Sequence, residues 1–180
     1  MRGVFCLWVL ALVVGCGDGD GDDETPFGDV EQVRAYRAAL EPIIVEVSAV
    51  EAQVAAEAVG SAGTATAENL AVAYQRVLGR LTRALVGFDK LAPPPKLAPL
   101  HRDVERLILL RLEAYTTLLE GWSEGDESLY AVAENRLAAA NGLIVGLNEQ
   151  LMRVDAALSA AGANPLAMSA AALLASRRFS

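Results

Sequence analysis

The stretch YAVAENRLAAANGLIVGLNEQLMRVDAAL, residues 130–158, decides the fold. Its apolar positions are Tyr130, Ala133, Leu137, Ala140, Ile144, Leu147, Leu151, Val154 and Leu158, alternately three and four residues apart. That spacing draws one continuous seam along a helix that packs against other helices. Asp126 stands ready as the N-cap, and Gly162 followed by Asn164-Pro165 supplies the stop.

Working outward, the seam recurs twice. Val33, Tyr36, Leu40, Ile43, Val47, Val50 and Val54 repeat it in one segment, and Ala67, Leu70, Tyr74, Val77, Leu81, Ala84, Phe88 and Leu91 in the next. From Leu100 to Trp122 the apolar face is wider, using Val104, Leu107, Ile108, Tyr115, Leu118 and Leu119 as well. The links are short: Gly60-Ser61-Ala62-Gly63-Thr64, Pro93-Pro94-Pro95 and Ser123-Glu124-Gly125. Short links between long helices favour antiparallel neighbours, so the expected fold is all-α, an up-down-up-down four-helix bundle over residues 28–162. The triple proline is expected to be non-helical, and Pro99 to be tolerated near a helix start. Pro42 falls inside the first helix but on the side away from the stripe, where a missing donor faces water; a break there, giving two helices, is the alternative. Residues 163–180 form either a short fifth helix or a tail.

Charge and chemistry narrow the function classes. The chain of 180 residues has 15 basic and 23 acidic residues, a net charge of -8. Its first 24 residues hold one of the former and five of the latter, so the remainder stands at -4. No basic face suited to nucleic acid is indicated. His101, the single histidine, has no glutamate three residues before it, so the Glu-x-x-His pairs of di-iron bundles are absent. Haem would need His101 with Met152 or Met168, and no Cys-x-x-Cys-His attachment is present. No nucleophile sits in a triad-like context and no glycine-rich phosphate loop occurs. Neither a cofactor nor enzymatic activity is expected. Two charges fall on apolar faces, Glu51 and Arg111, and the topology sets them to face each other as a buried ion pair that fixes register.

The N-terminus carries the strongest functional signal. Arg2 precedes an apolar run from Val4 to Val14, followed by Gly15, Cys16 and the acidic, glycine-interleaved stretch Gly17–Glu24. Eleven apolar residues are too few to span a bilayer, which needs about 20, and they fit a cleaved export signal. Val13-Val14-Gly15-Cys16 resembles the lipobox of bacterial lipoproteins. That resemblance implies cleavage between Gly15 and Cys16, lipidation of Cys16 with chains such as palmitate, and loss of Cys6 with the signal. The mature chain then has no disulfide.

The organisation that follows is a signal peptide, 1–15; a lipidated cysteine and flexible acidic tether, 16–27; the bundle, 28–162; and the end segment, 163–180. Asp18, Asp20 and Asp22 begin a calcium-loop pattern, but Asp23 stands where that loop needs glycine. Leu91 to His101, a proline-rich turn leading into an amphipathic helix, resembles small helical bacterial lipoproteins without an assigned activity. The expected protein is a monomeric, lipid-anchored bundle of the cell envelope, held to the membrane through its anchor, with a structural or partner-binding role. By resemblance to lipoprotein sorting, Gly17 after the cysteine favours the outer membrane where there are two. The alternatives are a bundle that holds haem, a metal or an apolar molecule, and a periplasmic chaperone or inhibitor.

Overall fold

The computed structural model describes residues 24–59 and 66–162. Two strands of two residues each, β1 (Glu24–Thr25) and β2 (Gly28–Asp29), pair antiparallel as a minimal hairpin. Four helices follow: α1 (Val30–Val59), α2 (Ala67–Phe88), α3 (Ala98–Glu124) and α4 (Glu127–Ala160), with a 3-10 turn at Pro95–Leu97 before α3. The expected all-α four-helix bundle is the observed architecture.

Three of the four helices begin at a side-chain cap. Asp29 accepts from the Gln32 amide at 2.8 Å, so the residue that closes the hairpin also starts α1. Thr66 caps α2 through the Asn69 amide at 3.2 Å, and Asp126 caps α4 through the Ser128 amide at 2.9 Å. The α3–α4 turn is the tightest. Gly125 adopts φ 67°, a left-handed C-cap that suits glycine. A Cβ at Gly121 would stand 3.0 Å from the Asp126 carbonyl oxygen and 3.0 Å from the Tyr130 ring.

Pro42 is exposed and α1 runs through it unbroken, as its position opposite the stripe requires. The repeated seams form the core: Val33, Leu40, Val50, Val77, Leu81, Phe88, Ile108, Ala133 and Ala140 are fully enclosed. Arg37 pairs with Asp155 near one end, Glu46 with Arg80 near the middle and Glu57 with Arg76 near the other end, which sets α1 antiparallel to both α2 and α4. Packing is extensive within α1–α2 and α3–α4 and smaller between α2 and α3, and the α1–α4 interface is the slightest of these four. The molecule is thus two helical hairpins joined through the proline loop.

Several expectations are corrected. Residues 24–27, assigned to the flexible tether, belong to the hairpin, where Thr25 is buried and its Oγ1 donates to the Gly28 carbonyl at 2.8 Å. A threonine hydroxyl can close a turn that lacks a core of its own. Leu91 lies past the end of α2, and Ala67 is exposed on its first turn. Trp122 is 44% exposed on the last turn of α3. Pro95 opens the 3-10 turn, its fixed φ and missing donor being harmless at a helical first position. The 60–65 link and the fifth-helix segment lie outside the described residues.

Candidate functional site

The bundle's buried charged and amide side chains come from α1, α3 and α4. Glu51 of α1 and Arg111 of α3 meet as an ion pair with side chains 11% and 5% exposed. Around them Tyr115 Oη reaches Glu51 Oε1 at 3.5 Å, and Arg111 Nη2 donates to Asn141 Oδ1 at 3.2 Å. Tyr74 of α2 stacks on Tyr115 with ring centroids 4.4 Å apart, so all four helices contribute to one level of the bundle. Burial pushes the Glu51 carboxyl above its ordinary range, a shift that Arg111 and the Tyr115 hydroxyl oppose without cancelling. The same burial pushes the Tyr74 hydroxyl up to about 12 and raises Tyr115 further. Arg111 Nε has no hydrogen-bond partner. The cluster holds a charge pair in a closed space, with no nucleophile beside it.

A second buried cation was not anticipated from the sequence. Arg37 is 1% exposed; its Nε donates to Asp155 Oδ1 at 3.0 Å and its Nη1 to Glu41 Oε2 at 2.6 Å. The available signal was that Arg37 sits a turn from Leu40 and Glu41 at the edge of the seam, which reads equally well as a solvated flank. Between the two ion pairs lies Asn148, 6% exposed, with neither amide atom hydrogen-bonded. Asn141, Asn148 and Asp155 are seven residues apart on α4, so a polar line follows the loosest seam of the bundle.

His101 is in the first turn of α3, partly buried. Its Nδ1 lies 3.0 Å from Tyr36 Oη, and its ring stacks on Phe88 with centroids 4.2 Å apart. Burial lowers its pKa, against the pull of Glu105 and Asp89, and pushes the Tyr36 hydroxyl up to about 12. Met152, the haem ligand considered with it, is 60% exposed on α4, and Met168 lies outside the described residues.

Next to Tyr36, an open groove of about 480 Å3 runs between α1 and the proline loop, with Ala35, Ala39, Leu91 and Pro94 among its walls and Lys90 at its edge. By contrast, the enclosed void lined by Ile44, Ile108 and Leu151 measures about 10 Å3. Such a space admits one water at most, and its lining offers no polar partner to hold it. Among the described residues no three side chains of metal-ligating type converge, and no helix is long and apolar enough to cross a membrane. Gly15 and Cys16 lie outside the described residues.

Fold and geometry place the chain in the class of all-α four-helix bundles. No protein-family model, no curated protein and no solved structure matches it.

Proposed function

We propose that this is a lipid-anchored, non-enzymatic bundle of the cell envelope that serves a structural or partner-binding role. The observation that carries the reading is the order Arg2, Val4–Val14, Gly15-Cys16 and acidic run, directly ahead of the hairpin at Glu24. In this reading the membrane attachment comes from acyl chains on Cys16. Each buried methylene contributes about 0.8 kcal/mol, and two or more chains make a stable anchor. Partition between detergent and aqueous phases tests the assignment. The native chain is expected in the detergent phase and to incorporate labelled palmitate, whereas Cys16→Ala should move to the aqueous phase; a variant still in the membrane pellet would overturn the anchor.

A second reading, a bundle that carries an apolar molecule, is favoured by the groove beside Tyr36. Its volume is within the range of small-molecule sites, roughly 300 to 1,000 Å3. Mass spectrometry of lipid extracted from the purified chain distinguishes the two. A stoichiometric apolar ligand that is lost in Ala39→Trp supports this reading, and a ligand-free chain supports the first.

A further inference from the structure

The outer face of α4 is unlike the other exposed surfaces of the bundle. From Leu137 to Asn148 the helix has no charged residue, and its exposed positions there are Ala138, Ala139, Asn141, Gly142, Val145 and Gly146. Val145 is 39% exposed, and Met152, two turns along, is 60% exposed. Glycine in mid-helix costs roughly 1 kcal/mol against alanine. A Cβ added at Gly142 or Gly146 would meet nothing within 4 Å, so the fold of the single chain has no use for either glycine. What a glycine on an exposed helix allows is the close approach of another backbone.

We infer that this face of α4 binds the same face of a second copy of the chain, the two helices antiparallel about a two-fold axis. Charge selects both the occupant and the register. Glu134 and Arg153 lie beyond the two ends of the uncharged stretch, outside Arg136 and Glu149, are exposed, and have no ion-pair partner among the described residues. When Glu134 of one copy is set against Arg153 of the other, symmetry forms the pair twice. The same register seats Val145 of each copy over Gly142 of the other, a knob facing an opening. Glu149 then lies opposite Ala138, whose small side chain leaves the glutamate stem a path to solvent. A self-complementary patch of this kind closes a dimer instead of extending into a filament. Under this proposal the chain self-associates, where the sequence reading expected a monomer. One helix pair buries an area at the low end of specific interfaces, so the association is weak and reversible.

Sedimentation equilibrium of the full chain in density-matched detergent tests the register. The native chain should dimerise with a Kd in the range of about 1 to 100 μM. Glu134→Arg and Arg153→Glu should each weaken the dimer at least about tenfold, and the double exchange should bring it back to within about threefold of native. Gly142→Leu, which has open space within one chain, should abolish dimers while helicity is retained and the melting temperature of the single chain does not fall. A native chain that stays monomeric up to about 0.5 mM, well above that Kd range, overturns the inference. So does a dimer indifferent to Gly142→Leu, or a double exchange that fails to rescue.

Discussion

Arg111 and Glu51 show how much one buried residue can hold. Arg111→Ala leaves Glu51 enclosed without its cation and should cost about 3 to 5 kcal/mol at neutral pH. Chemical denaturation of the variant measures the loss, and a value near zero would mean the guanidinium is solvated. The pH dependence follows from the raised Glu51 pKa. A carboxyl whose folded pKa exceeds its unfolded value contributes its full stability below the unfolded pKa and loses it as pH rises through the folded one. Relative to Glu51→Gln, the native chain should therefore lose melting temperature as pH climbs from about 4 toward 7. The deficit of Arg111→Ala should shrink over the same interval in reverse, because Glu51 takes up its proton in acid. Asn148 works the other way. Its amide is buried without a partner, so Asn148→Leu should stabilise the bundle by about 1 to 2 kcal/mol. A lower melting temperature would show that the amide has a partner in solution.

Glycines acquire opposite meanings at the scale of the element. Gly121 is required: an added methyl would press on the Asp126 carbonyl, Leu129 and Tyr130, where α4 begins. Gly121→Ala should cost about 1 to 3 kcal/mol as the α3–α4 turn shifts. Gly142, by contrast, sits in open space, and Gly142→Ala should raise stability by about 0.5 to 1 kcal/mol. Paired thermal melts of the two variants check both signs. The sequence could not separate these glycines, since both lie inside helical patterns. The difference lies in what faces them within one chain, which is a neighbouring helix start at one position and open space at the other. The same contrast explains Trp122 and Leu91. Each continues a seam on its own helix, but Trp122 is left exposed on the last turn of α3 and α2 ends before Leu91.

Across the whole molecule, the periodic seams, the short links and the cap Asp126 determined that four helices form and alternate in direction. These are local properties: a heptad-like stripe must be buried somewhere, and a short link leaves only antiparallel packing. Opposed charges on two stripes also made the Glu51–Arg111 pair legible, because an internal charge on an apolar face needs a partner. Tertiary structure alone decided the rest. It brought Arg37 under Asp155, stacked Tyr74 on Tyr115, folded Thr25 into a hairpin, and left α1 and α4 as the loosest seam with Asn148 unpaired along it. Those outcomes depend on the rotation of each helix about its own axis and on the distances between axes. The core side chains set both jointly, and no single segment of the sequence contains them.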